Sequence, residues 1–245
     1  MHTLELLVLS GFIIINALAG FFQGVVGFGQ GLVATPLSLT FLDKNTVLPA
    51  MVVVGLLLNL SLSKQIKEPL DNKIFKPLLI GSVLGMPFGV LILKLLSLST
   101  LRISVGVLSI VLTIAIVFVK FKARHLRVIT PITGFVSGVL QTSTSIPGPP
   151  VVLLLAGSGA TKNAMRKILV VYFFWISVIA LPLYLIGGIL TWKGVLFGLC
   201  ATPAIVGAGY LGNKVAHHVP HKWYRVLALV TVCATGAFAI YSGIR

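Results

Sequence analysis

The chain reads as an all-α polytopic membrane protein, and three features of its sequence predict this. Hydrophobic residues make up 57% of it and charged residues 9%, with a mean hydropathy of +1.08. That balance is far from the water-soluble average. Apolar runs of about 20 residues recur from end to end, the length that carries a helix across a ~30 Å hydrocarbon layer. The ~10-residue alternating segments of a transmembrane barrel are missing.

Taken in order, residues 4–41 form one apolar stretch of 38. As a straight helix it would be about 57 Å long, far beyond a single crossing. It must bend back, and Gly27, Gly29 and Gly31 are where it can do so. Two forms stay open, two full crossings or a re-entrant hairpin. Apolar spans follow at 47–63, 77–93 and 103–119. The second half opens with 127–157, 31 residues and too short for two crossings. Spans at 168–187, 194–213 and 224–243 complete it. No basic stretch precedes the first apolar run, so the N-terminus reads as mature chain rather than a cleaved signal.

The halves repeat. Shifted by 114 positions, Gly20-Phe21-Phe22-Gln23-Gly24-Val25 falls on Gly134-Phe135-Val136-Ser137-Gly138-Val139, Pro36 on Pro150 and Ala50-Met51 on Ala164-Met165. Eight of the 32 positions from 20 to 51 are identical, a mark of internal duplication. Gly27-Phe28-Gly29-Gln30-Gly31 then matches Gln141-Thr142-Ser143-Thr144-Ser145. Both copies are expected to break there, one through glycine, the other through Ser/Thr and the prolines at 147, 149 and 150, through which no helix runs unbroken.

Loop charges decide the topology. If every long segment crosses once, the 19 Lys+Arg divide almost evenly between the two sides. If 4–41 and 127–157 each return to the side they left, loops 64–76, 120–127, 158–167 and 213–225 share one side and hold 14 of the 19. A bias of that kind is the rule for cytoplasmic loops. Each half is then a broken two-armed segment followed by three crossings. Three is odd, so the halves are inverted-topology repeats with both termini outside. The expected units are 1–119, a basic linker 120–126, and 127–245, together one transporter domain. Secondary transporters built this way hold substrate near the midplane, between interrupted helices. Gly81, Gly85 and Gly89, with Gly207 and Gly212 in the matching region, read as helix-packing positions.

The chemistry narrows by exclusion. Glu5, Asp43, Glu68 and Asp71 lie near termini or loops, and His2, His125, His217, His218 and His221 lie outside the spans. No buried carboxylate or imidazole is available for acid–base catalysis, a proton relay or cation transport. Cys200 and Cys233 sit in apolar runs without metal or disulfide spacing. No cofactor motif is present. The net charge of +15 serves anionic lipid through the loops rather than nucleic acid. The partners expected are the lipid bilayer and a small anionic substrate, with monomer and homodimer both open.

The anion site expected comprises Gly27, Phe28, Gly29, Gln30 and Gly31 with Gln141, Thr142, Ser143, Thr144 and Ser145. Glycines let a ligand approach the backbone, hydroxyls add donors, and a helix restarting after 147–150 points its amides and dipole at an anion. Gln23, Asn59 and Tyr172 are candidates for the pathway, or for interhelical hydrogen bonds. Arg166 and Lys167 read as topological anchors.

The run from Gly20 through Gly27-Phe28-Gly29-Gln30-Gly31 to Pro36, repeated from Gly134 to Pro150, resembles the TauE/SafE family of sulfite exporter-like permeases. The resemblance spans essentially the whole chain. It implies a multi-pass inner-membrane permease, not an enzyme, that moves sulfite, thiosulfate or an organosulfonate. An anion channel, a permease for another small anion, and a sulfur-relay protein using Cys200 are the rival readings. The second copy departs from the glycine-rich form, which is expected to tune the substrate.

Overall fold

The structure, a computed structural model, describes residues 2–118, 126–216, 237–238 and 240–244. The predicted span 224–243, the linker apart from Leu126, and the residues His125, His217, His218, His221 and Cys233 lie largely or wholly outside that set. Among the described residues all regular structure is helical: α1 (His2–Val26), α2 (Gln30–Ser38), α3 (Lys44–Gln65), α4 (Asn72–Leu95), α5 (Leu98–Phe118), α6 (Leu126–Thr144), α7 (Gly148–Gly157), α8 (Lys162–Ile186) and α9 (Trp192–Val215). Helices α1, α3, α4, α8 and α9 are long and apolar enough to cross a membrane. The protein is an all-α polytopic membrane protein.

Residues 4–41 form a long arm, a break and a short arm. Helix α1, 25 residues, spans about 37 Å, whereas α2, nine residues, spans only about 14 Å. The same long-arm, short-arm pattern returns in α6 and α7, of 19 and 10 residues. The first break is made by Gly27 and Gly29, with φ of 93° and 118°, values side chains rarely tolerate. The second is made by Ser145, at φ 57°, followed by Pro147.

The breaks do not fall at matching positions, which corrects the expectation from the repeat. Helix α1 stops at Val26, which matches Leu140, but α6 continues to Thr144, one turn further. The cause is local. Gln141 to Thr144 are compatible with helical φ, and the hydroxyls of Thr142, Ser143 and Thr144 bond back to the carbonyls of Gly138, Val139 and Leu140. From there on the repeat offset is 118 rather than 114, since Lys44 opens α3 and Lys162 opens α8.

Caps fix the helix starts. Asp43 accepts from Thr46 N at 2.9 Å and Asp71 from Lys73 N at 2.9 Å, while Thr161 and Thr191 cap α8 and α9. Two of the four acidic residues are thus N-caps.

First arms pack across the halves. Gly20 and Gly24 of α1 lie against Ile205 and Gly209 of α9, and Gly134 and Gly138 of α6 lie against Leu78 and Ser82 of α4. The order of these contacts makes each pair parallel. Gly81 and Gly85 return the approach, against the carbonyls of Pro131 and Phe135. Gly212 packs on the Phe21 carbonyl, whereas a side chain at Gly207 would meet nothing. Helix α3 is the axis, with 72% of its span buried against 22% for α1.

The ends of the bundle are distinct. At one, Lys167 donates to the carbonyls of Ser63 and Ile66, Asn213 to Gln65 Oε1, and Lys162 to the Ala216 carbonyl. At the other, Lys44 reaches the carbonyls of Leu93 and Leu96, Arg102 those of Leu39, Thr40 and Ser242, and Thr191 that of Asn45. The described parts of loops 64–76, 158–167 and 213–216 therefore share one end, where Lys64, Lys67, Lys162, Lys167 and Lys214 gather.

Candidate anion site between two broken helices

The two breaks meet. A Cβ at Gly31 would collide with the carbonyl of Ser145, and these are the two positions the 114-residue repeat matches. Beside this crossing lies a cavity walled by both breaks and by the middles of α3 (Met51, Gly55, Asn59) and α8 (Phe173, Ser177). The space open to the centres of water-sized spheres is about 40 Å³. One water needs ~10–15 Å³ by that measure, so the cavity holds about three waters or one compact ion.

Most of the expected residues come together here. Phe28, Gly29, Gln30, Gly31, Gln141 and Ser145 line the cavity, as do Gln23 and Asn59. Four do not. Gly27 packs on the Arg166 side chain instead. Thr142, Ser143 and Thr144 are buried outside the wall, their hydroxyls spent on carbonyls: Thr142 on Met86 at 2.7 Å as well as Gly138, Ser143 on Val139 at 2.7 Å, Thr144 on Leu140 at 2.9 Å. Tyr172 also sits elsewhere, its hydroxyl between Ser82 and Ser137 where α4, α6 and α8 pack.

A polar chain fixes the first hairpin. Gln30 N donates to Gln23 Oε1 at 3.2 Å, Gln23 Nε2 to Asn59 Oδ1 at 2.7 Å, and Asn59 Nδ2 to the Gly55 carbonyl at 2.7 Å. The next two amides of α2, Gly31 and Leu32, have no acceptor within the helix because of their position, and no acceptor among the described residues meets them. Both residues stand in the cavity wall. Helix α7 offers less. Of its first three positions only Gly148 has an amide hydrogen, since Pro149 and Pro150 have none.

Three wall side chains are left without partners among the described residues: Gln141, Ser177 and the hydroxyl of Ser145. Gln141 is 5% exposed and Ser177 4%, and neither side chain makes a hydrogen bond with any described residue. A buried amide and buried hydroxyls facing the same space are costly unless something else bonds them.

Several carbonyls at the helix ends that would repel an anion are covered. Arg166, 5% exposed, donates from Nη2 to the Gly24 carbonyl and to Asn213 Oδ1, both at 2.7 Å. It is buried and bridges α1, α8 and α9, rather than anchoring a loop in the headgroups. At the end of α6 the Gln141 carbonyl takes the Ser145 amide at 3.2 Å and that of Thr142 takes the Tyr184 hydroxyl at 3.0 Å.

Sequence reasoning missed Leu32, Met51, Gly55, Ile146, Phe173 and Ser177. Ser177 had a signal. At the 118-residue offset of the later elements it falls on Asn59. The apolar wall residues had none, since each sits among other apolar residues.

The family model described as Sulfite exporter TauE/SafE matches residues 12–239. The chain belongs to the TauE/SafE family. This is a family of membrane transporters of the sulfite-exporter type. No curated protein and no solved structure matches it. Among the described residues of this TauE/SafE protein no cluster of His, Cys, Asp or Glu is arranged to hold a metal, and Cys200 is exposed on α9, away from the cavity wall.

Proposed function

We propose that this TauE/SafE protein carries a small sulfur-containing anion, of the sulfite, thiosulfate or organosulfonate class, across the inner membrane by alternating access around the cavity. The observation that carries this reading is the set of unpartnered side chains Gln141, Ser145 and Ser177, facing the same small space as the amides of Gly31 and Leu32. Donors without acceptors, at the start of a helix and near the middle of a bilayer, suit a dehydrated anion. The halves act as inverted repeats, which the crossed pairing of α1 with α9 and α6 with α4 supports. The lysine-rich end faces the cytoplasm, as the charge bias requires. Toward that end the Gln23–Asn59 pair and then the Arg166 bridge stand between the cavity and water. Opening them while the opposite end closes is the exchange that alternating access needs.

The test is a thermal-shift and binding screen of the purified protein against sulfite, thiosulfate, sulfate, sulfoacetate and taurine. At least one should stabilise it. Ser177→Ala and Gln141→Ala should each weaken that response about tenfold or more, the loss of one hydrogen bond to a charged group at ~1.5–3 kcal/mol. Unchanged affinity in both variants would move the site elsewhere. Saturable counterflow in proteoliposomes separates a carrier from a channel.

A further inference from the structure

Resting on the site proposed above, we infer that it selects compact oxyanions bearing a single negative charge, so that sulfite enters as hydrogensulfite with its proton on the substrate. Among the described residues the wall contains no Lys, Arg or His. Arg166 is the one charged side chain among the described buried residues; it is not part of the wall, and it donates to the Gly24 carbonyl and Asn213. The donors of the described wall are neutral, and those left free are the Gln141 amide, the Ser177 and Ser145 hydroxyls and the backbone amides of Gly31 and Leu32.

Charge decides what so few neutral donors can hold. The cost of taking an ion out of water rises with the square of its charge, and a buried charge is tolerated when paired or fully hydrogen-bonded. A dianion brings about four times the desolvation cost of a monoanion of equal size, and no cation waits to offset it. The wall also gives no carboxylate that could accept a proton from the substrate. Sulfite takes up one proton near neutrality in water, SO3 2− plus H+ giving HSO3−, so the singly charged form is at hand before binding. The proton then crosses attached to the substrate, and the protein needs no titrating group of its own. The small volume, about 40 Å³, favours inorganic oxyanions over those with an organic tail.

Chlorate is the decisive probe, because it has the pyramidal shape of sulfite but one charge at every working pH. Binding of chlorate, sulfite and sulfate to the full-length protein in nanodiscs is measured from mildly acid to mildly alkaline pH. Chlorate affinity should be flat. Affinity for total sulfite should fall about tenfold per pH unit above neutrality, following the protonated fraction. Sulfate should bind at least a hundredfold more weakly than chlorate. Sulfite affinity that is flat or rises with pH, or sulfate binding as tight as chlorate, overturns the single-charge selection and leaves the site standing. Silence toward all three anions, or chlorate binding unchanged in both Ser177→Ala and Gln141→Ala, overturns the site and the inference together.

Discussion

The two hairpins of this molecule solve one problem with opposite chemistry. The first breaks at glycines and opens the amides of Gly31 and Leu32 to the cavity. The second breaks at Ser145 and Pro147, and its prolines remove the matching amides, so it contributes the side chains Gln141 and Ser145 instead. The pins between arms are reversed as well. Gln23 accepts the first amide of α2, whereas Ser137, its counterpart in the repeat, donates to the Pro147 carbonyl at 2.7 Å. Even the carbonyls at the ends of the first arms are covered differently, Gly24 of α1 by the Arg166 guanidinium and Thr142 of α6 by the Tyr184 hydroxyl. On the reading proposed above, the two hairpins divide the work: free backbone amides in the wall come from the first, free side-chain donors from the second.

The strongest way to break this comparison is at the crossing. Gly31→Ala drives a methyl group into the Ser145 carbonyl, and backbone there cannot give way cheaply. Uptake into proteoliposomes should drop below detection, with folding followed in parallel by size-exclusion profile. Wild-type uptake would mean that the two breaks do not close on each other. Next in size is Arg166→Gln, which strips the cover from the Gly24 carbonyl and leaves Asn213 short of a donor. The expected loss is about 3 kcal/mol of stability, read as a fall in the midpoint of thermal unfolding. Gln23→Leu removes both the Asn59 partner and the acceptor for Gln30 N. It should cost ~1–3 kcal/mol and weaken anion binding as α2 loses its fixed start. Ser143→Ala should cost only about 1 kcal/mol and leave anion affinity unchanged. A large loss of affinity would return that hydroxyl to the ligand. Smallest is Cys200→Ser, exposed on α9. It should shift stability by less than ~0.5 kcal/mol and leave transport intact, which also disposes of a sulfur relay.

Much of this architecture was written plainly in the sequence. Membrane class, the hairpin opening each half and the glycine break all follow from apolar length and from residues with strong backbone preferences, such as Gly27 and Gly29. Such signals are local, so they survive without knowledge of the fold. What stayed hidden depends on who faces whom. A run of Ser and Thr looks like a row of ligand donors, yet at 142–144 each hydroxyl reaches a carbonyl one turn back and extends the helix. Arg166 looks like a loop charge until α1 and α9 close over it. Met51, Gly55 and Phe173 are apolar residues among apolar residues, and only packing selects them for the cavity wall.

The exchange of first arms has a consequence for assembly. Because α1 beds on α9 and α6 on α4, each half leaves its glycine grooves empty until its sibling is present, like one hand of a handshake. Neither half made alone should become a folded unit. Yet two fragments severed between residues 119 and 125 and produced side by side should find each other, since the surfaces that hold them are those of the mature core and owe nothing to the tether.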